Sequence, residues 1–201
     1  MQLEPAVYVV DDDDAFRESL QFLLESVDLK VKTFPSAADF LNEYDPLDPG
    51  CVVLDIRMPG MSGIDLQEQL QARDISIPVI VVTASGDVPT AVRAMKAGAV
   101  ELFEKPFSHQ DLLNEIQRAI DDDAKNRESI SERLAILERL KQLSPREREV
   151  MDMIVAVSSS KEIATKLDIS QSTVRVHRVN VLKKMAASSI PHLIRMGLII
   201  Q

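Results

Sequence analysis

The chain has 201 residues, 45% of them apolar and 27% charged, with a formal net charge of −9. That is long for one average domain and suits two small ones, at ~150 residues per domain, and the composition excludes collagenous, mucin-like and disordered classes. No apolar run approaches the ~20 residues of a membrane-spanning helix. The opening Met1-Gln2-Leu3-Glu4-Pro5 lacks the basic and long apolar regions of a secretory signal, which predicts a cytoplasmic chain with no membrane partner. A single cysteine, Cys51, allows neither an internal disulfide nor a cysteine-built zinc site.

The first 123 residues alternate short β-branched runs with amphipathic stretches. Ala6–Val10, Val31–Phe34, Cys51–Leu54, Val79–Val82 and Val100–Phe103 read as strands, most of them apolar throughout, as parallel strands buried on both faces are. Between them Ala15–Ser26, Ala37–Glu43, Ile64–Ala72, Val88–Ala97 and Gln110–Asp121 read as helices. Ser36 and the Ser62/Asp65 pair are start signals, and Gly98 is a stop signal. Five βα units in this length predict a five-stranded, doubly wound parallel sheet of flavodoxin-like order, with ligands at the carboxyl ends of its strands.

Asp121-Asp122-Asp123 marks a change of composition. From Ala124 to Leu143 the chain is charged and free of Gly and Pro, with Ile130, Leu134 and Leu137 forming one apolar stripe. A solvated connecting helix and a dimer seam account for that stripe equally well. Ser144-Pro145-Arg146-Glu147 is a capping box with Pro at the first helical position, and its helix is predicted to run to about Val157. A short helix over Lys161–Leu167, a break at Asp168-Ile169-Ser170 and a longer helix from Gln171 to about Met185 have helix-turn-helix spacing. Ser189 and Pro191 open a last helix that Gly197 is predicted to close. The expected organisation is an α/β domain over 1–121, a helical linker over 122–143 and an all-α, four-helix domain over 144–201.

Charge follows the same division. Residues 1–123 hold 9 basic against 24 acidic residues, net −15, and residues 124–201 hold 14 against 8, net +6. The basic part is the candidate for nucleic acid, although on charge alone a solvated surface is the stronger reading.

Asp11, Asp12, Asp13 and Asp14 follow the first strand and Asp55 follows the third. Those strand ends are neighbours in a doubly wound sheet, so Asp11, Asp12 and Asp55 are expected to converge. Like charges so placed are tolerable around a hard divalent cation, and Mg²⁺ takes one or two carboxylates, a backbone carbonyl and waters. The plainer reading makes the run a helix cap at Ala15, which suits Asp13 and Asp14 but leaves Asp55 unexplained. Thr83 ends the fourth strand and Lys105 follows the fifth. A carboxylate, a cation site, a hydroxyl and an ammonium at one rim are the inventory for moving a phosphoryl group onto a carboxylate. No phosphate-cradling GxxxxGK[ST] loop is present.

On the segments VVDDD at 9–13, LDIRMPGMSG at 54–63, TASGDV at 83–88, AMKAGAVELFEKPF at 94–107 and KEIATKLDISQSTVRVHR at 161–178, the chain resembles two-component response regulators. Residues 6–121 resemble a receiver domain and residues 140–200 a LuxR/NarL-type DNA-binding domain, and together they are similar to the FixJ subgroup. The resemblance implies that Asp55 accepts phosphate from a sensor histidine kinase. It implies that Asp12 and Asp55 bind Mg²⁺ with the backbone carbonyl of Arg57, Asp11 acting mainly through water. Thr83 becomes the switch hydroxyl and Lys105 its partner, with Lys105-Pro106 cis. Arg57 and Ser85 flank the site, where family members tune the lifetime of the acyl phosphate. The family's usual aromatic three residues before this lysine is replaced by Leu102, and Phe103 is expected to point the other way.

In the second domain Val174, Val181 and Met185 share one stripe of the recognition helix and Ser172, Arg175, Val176 and Val179 the other. Arg175 is the candidate for a base edge and Val176 and Val179 for thymine methyls. Lys161, Thr173, Arg178, Lys183 and Lys184 read as phosphate contacts. His177 is expected to be structural, and His109 and His192 to be surface or capping residues. The subgroup's usual Gly-Leu-Ser-Asn-Lys turn stands here as Val157-Ser158-Ser159-Ser160-Lys161, which removes the glycine expected of a left-handed helix end and leaves Ser160 to cap the next helix.

The expected function is a phosphorylation-gated transcription factor that dimerises through its receiver and binds promoter DNA, with RNA polymerase as a further partner. It is a phosphoacceptor and not an enzyme, with at most slow self-dephosphorylation. Two alternatives stand beside it: a phosphorylation-independent DNA-binding regulator, motivated by Leu102, and an Asp-nucleophile phosphohydrolase. The latter calls for Asp-x-Asp after a strand, where this chain has Asp55-Ile56-Arg57.

Overall fold

A computed structural model describes residues 4–84 and 87–200, which divide into two compact units at Asn126/Arg127. In the first unit β1 (Ala6–Val10), β2 (Lys30–Phe34), β3 (Gly50–Asp55), β4 (Val79–Thr83) and β5 (Ala99–Glu104) form one parallel sheet in the order β2-β1-β3-β4-β5. The three central strands are buried from end to end, which is why they read as unbroken apolar runs. The edge strands β2 and β5 expose alternate or outer residues, among them Val100 and Glu101.

Successive side chains of a strand point to opposite faces, and this builds two cores. Tyr8 and Val10 join Phe34, Phe40, Val52 and Leu54 on one face, while Val7 and Val9 join Cys51, Val53, Ile80 and Val82 on the other. The covering helices are α1 (Asp14–Glu25), α2 (Ala37–Glu43), α3 (Gly63–Ala72), α4 (Val88–Lys96) and α5 (His109–Leu140). Asp13 caps α1, Ser36 caps α2, and Ser62 with Asp65 forms the reciprocal box of α3.

The Asp triplet is not a structural break. α5 runs unbroken through it, because Asp123 stands on the stripe of Leu112, Ile116 and Ala119, 1% exposed, and its Oδ2 accepts from Gly50 N–H at 2.9 Å. Asp121 and Asp122 are exposed, where Gln117 and Lys125 pair with them.

The second unit holds the last turns of α5 with α6 (Pro145–Val155), α7 (Ser160–Leu167), α8 (Gln171–Lys184) and α9 (Ile190–Ile199). Its core gathers Ile136, Leu140, Val150, Ile154, Ile163, Val174, Val181, Met185 and Leu193. The buried positions of the connecting helix are thus Ile136 and Leu140, with Leu137 partly buried, while Ile130 and Leu134 of the expected stripe are exposed.

Three helix ends differ from the sequence reading. Ser159 caps α7, in a box with Glu162, and Ser160 is its first helical residue. Gly197 lies inside α9 and does not close it as Gly98 (φ +91°) closes α4; a Cβ there would come within 2.3 Å of Val155 Cγ2, so the missing side chain lets α9 pack against α6. The left-handed end of α6 survives without glycine. Val157 adopts φ +59° and donates to Ile154 O, and Ser158 donates to Met153 O, each at 2.9 Å, a complete Schellman motif. Among the described residues no helix is long and apolar enough to cross a membrane.

Candidate functional site

Register brings the acidic residues together. Val10 pairs with Leu54, so Asp11 and Asp55 stand one residue further on at adjacent strand ends, 2% and 6% exposed. Between them lies Lys105, whose Nζ is 2.8 Å from Asp11 Oδ2 and 3.4 Å from Asp55 Oδ1. The second oxygens are held by backbone: Asp11 Oδ1 accepts from Asp13 N–H at 2.9 Å and Asp55 Oδ2 from Arg57 N–H at 2.6 Å. Burial and the neighbouring charge of Asp11 push the Asp55 carboxyl above its ordinary range, against the opposing pull of Lys105 and the Arg57 N–H. A carboxylate whose ionised form is thus disfavoured is more basic, and gains more from a bond to an electrophile.

Thr83 is fully buried at the end of β4, and its carbonyl accepts from Lys105 N–H at 2.8 Å, which ties the two strand ends together. Lys105-Pro106 is cis. Arg57 is exposed just beyond Asp55, and Ser85 lies outside the described residues. Leu102 packs on the Tyr8 side of the sheet and Phe103 on the Val9 side, the opposite orientations that strand alternation requires.

Asp12 is exposed, and among the described residues no hydrogen bond or ion pair joins it to Asp11, Asp55 or Lys105. No group of three or more His, Cys, Asp or Glu side chains is set to hold a metal ion among the described residues. Mg²⁺ needs only one or two carboxylates and keeps several waters. Two buried like charges, one of them with a raised carboxyl pKa, are a hard-oxygen donor set that such a cation would relieve, so the residues fit it.

Two contacts here had no sequence signal. The Phe16 ring lies under the Lys105 ammonium at 3.6 Å, and Arg17 donates to the Asp11 carbonyl at 2.6 Å. Both come from the first turn of α1, and nothing in the one-dimensional pattern places that turn against a lysine 89 positions further along. Cys51 is buried, and burial together with Asp123 pushes its thiol up to about 12, so it is an inert core residue.

In the second unit α8 divides as its pattern predicts. Val174, Val181 and Met185 are buried, whereas Ser172, Thr173, Arg175, Val176, Val179 and Lys183 are exposed, as is Lys161 on α7. Two of the expected phosphate contacts are engaged within the protein. Arg178 donates to Ser160 Oγ at 2.7 Å, pinning α8 to the start of α7, and Lys184 pairs with Glu147 at 2.6 Å. Glu147 is 5% exposed, and Lys184, helped by the Ser144 N–H, draws its carboxyl down to about 2. His177 is half-buried with no hydrogen-bond partner at its buried Nδ1, while His109 is exposed and the His192 N–H is bonded to the cap Ser189.

Comparison with known proteins agrees with both units. Residues 7–117 match the response regulator receiver domain, and residues 141–197 match the bacterial regulatory proteins of the luxR family. The chain is 47% identical over 193 residues to the transcriptional regulatory protein FixJ of Azorhizobium caulinodans, covering 96% of this chain and 92% of that one. It is 42% identical over 192 residues to the response regulator protein TmoT of Ectopseudomonas mendocina, covering 96% and 87%. Among solved structures it is similar to the response regulator StyR, at 42% identity and a TM-score of 0.85, over 97% of this chain and 98% of the other. A buried carboxylate pair bridged by a lysine at the mouth of a parallel sheet, a helix-turn-helix with an exposed basic face, and relatives alike over nearly the whole length lead to one conclusion: the chain belongs to the response-regulator family, as a FixJ-like transcription regulator with a receiver domain and a LuxR-type DNA-binding domain.

Proposed function

We propose that this regulator accepts a phosphoryl group on Asp55 from a sensor histidine kinase, dimerises through its receiver, and binds promoter DNA through α8, all in the cytoplasm. The observation that carries the reading is Lys105 Nζ held between two buried carboxylates, 2.8 Å from Asp11 and 3.4 Å from Asp55. One oxygen of Asp55 attacks the phosphorus in line, the O–P bond forms as the P–N bond to the kinase imidazole breaks, and the electron pair leaves on that nitrogen, which takes a proton. In this reading Lys105 and Thr83 supply an ammonium and a hydroxyl to the phosphoryl oxygens. Asp12 and Asp55, with the Arg57 carbonyl and with Asp11 mainly through water, would hold Mg²⁺, which supplies charge neutralisation when bound. The chain is a stoichiometric acceptor, and steady turnover of a small phosphoester would speak for a phosphohydrolase instead.

Receiver dimerisation is assigned to the face of α4, β5 and α5, where Val88, Val92, Met95 and Val100 are exposed. On DNA, Arg175 reads a base edge beside Ser172, Val176 and Val179 meet thymine methyls, and Lys161, Thr173 and Lys183 contact the backbone, with Arg178 and Lys184 reaching it only by leaving Ser160 and Glu147. The test is phosphorylation of the full chain with acetyl phosphate and Mg²⁺. One acyl phosphate at Asp55, lost in Asp55→Asn, with tighter promoter binding by the phosphorylated form, is expected. Equal binding by Asp55→Asn and the phosphorylated protein would overturn the gate.

Leu102 motivates a second reading. It is packed against the core with no aromatic ring to swing, which supports a regulator resting near one state whatever its phosphorylation. Equal dimerisation with and without beryllofluoride and Mg²⁺ would favour it.

A further inference from the structure

We infer that Phe16 is a positioning residue for phosphoryl transfer: its ring face is the third wall of the Lys105 ammonium site and sets where that ammonium stands relative to Asp55. The inference rests on the reading of Asp55 as phosphoacceptor.

A lysine ammonium is a point charge on a flexible four-carbon stem with three rotatable donors, so two carboxylates on one side do not fix it. Lys105 is nevertheless confined. Asp11 and Asp55 lie at 2.8 and 3.4 Å, the ring centroid of Phe16 lies 3.6 Å away, and the side chain is 22% exposed. The ring attracts the cation through its negative face and displaces water there, but holds its N–H groups only through a broad and weakly directional π contact. The ammonium can therefore follow a phosphoryl group on Asp55 while staying over the ring. Water or a polar wall would compete for those same hydrogens.

The ring is itself fixed from two directions. Asp13 Oδ1 accepts from the Phe16 N–H at 3.2 Å and from the Ala15 N–H at 3.0 Å, locking the first turn of α1. The ring meets Phe107 edge to face, with centroids 6.3 Å apart and planes at 82°, and Phe107 packs on Phe103 at 5.8 Å. Phe107 lies two residues beyond Lys105, so the chain that delivers the ammonium also delivers the prop for its ring. An aspartate of the acidic run thereby acts on phosphoryl chemistry without touching the phosphoryl group.

A ring that merely fills space would be replaceable by any apolar group of similar volume, and this separates the two roles. In the full-length protein, Phe16 is replaced by 4-fluoro-, 3,5-difluoro- and 3,4,5-trifluorophenylalanine, which keep the shape and progressively weaken the negative face. The initial rate of Asp55 phosphorylation by acetyl phosphate with Mg²⁺ is expected to fall stepwise, about three- to tenfold in total. NMR of the unphosphorylated protein gives a readout independent of activity: the Lys105 ε-CH₂ protons are expected upfield from the ring current, and back at ordinary positions in Phe16→Leu. A flat rate across the fluorinated series, or ε-proton shifts unchanged in Phe16→Leu, overturns the inference. If the ring-current shift is present but no phosphodonor modifies wild-type Asp55, the phosphoacceptor reading has failed and takes the inference with it, while the Lys105–Phe16 contact stands.

Discussion

Replacing Val157 by glycine is expected to stabilise the DNA-binding unit by about 1 kcal/mol. Val157 holds φ +59° at the end of α6 while its N–H and that of Ser158 complete a Schellman motif. A left-handed conformation costs an L residue roughly 1–2 kcal/mol, and a β-branched one lies at the upper end. Two losses offset the gain: about 0.5 kcal/mol for the small buried part of a side chain that is 77% exposed, and about 0.5 kcal/mol for glycine's greater freedom when unfolded. The net corresponds to a rise of about 4–8 °C in the melting temperature of a unit of this size. The chain has no tryptophan, and its two tyrosines, Tyr8 and Tyr44, lie in the first unit. Near-ultraviolet circular dichroism thus follows the receiver alone, while calorimetry of the full chain follows both transitions. Only the second transition should move, and Val157→Ala, which keeps a Cβ, should gain half as much or less. A glycine variant no more stable than wild type, or an alanine variant equal to it, would refute the left-handed cost as the cause.

Glu147 has a folded pKa of about 2 against an ordinary 4.5, so its stabilisation is complete above pH 4.5 and disappears as pH falls toward 2. Denaturant titrations should find Glu147→Gln less stable than wild type by on the order of 2 kcal/mol at pH 7, a figure tempered by the partly exposed Lys184, with the gap narrowing below pH 4.5 and closing toward pH 2. The Asp55 carboxyl is raised in the folded state, so its ionised form opposes folding above that pKa and the opposition lifts as pH falls. Asp55→Asn is accordingly expected to raise the receiver's melting temperature at pH 7, read by the tyrosine signal, and an unchanged or lower value would contradict the assigned cause. In DNA binding measured against salt, Lys183→Ala should weaken affinity and reduce the slope of log K against log[salt] by about 0.9, whereas Arg178→Ala should lower the second unit's melting temperature as well, through loss of the Ser160 bond.

The parts of the fold legible in the sequence were those in which one residue's environment is decided locally. β1, β3 and β4 announce themselves because burial on both faces leaves no polar position before their carboxyl ends, and Ser36, Ser62 and Ser144 because a cap is a side chain bonded three residues on. What was missed depended on distant partners. Asp123 reads as part of a polar break until Gly50 is beside it, and Gly197 reads as a helix stop until Val155 is. Glycine marked the left-handed end at Gly98 but was an incomplete signal for the others. Asp28, Asp74, Asp168 and Ala186, like Val157, take that conformation here without it. In the site, doubly wound topology foretold the meeting of Asp11 with Asp55, since it makes their strand ends neighbours, while Asp12, expected beside them, is exposed. The commitment of Arg178 to Ser160, of Lys184 to Glu147 and of Lys105 to Phe16 did not follow, because long flexible side chains choose among partners only once the backbone is in place.

β3 is six residues long, ends on Asp55 and begins on Gly50, whose N–H is the donor to Asp123. At about 3.3 Å per residue the strand is a strut of roughly 17 Å, hydrogen-bonded along both edges and fully buried, and therefore poorly able to shorten or bow. Asp55 and the anchorage of α5 are the two ends of that one strut. If Asp55 is phosphorylated as proposed, a push on the strand there would be felt at the bond that holds α5 to the opposite pole of the sheet.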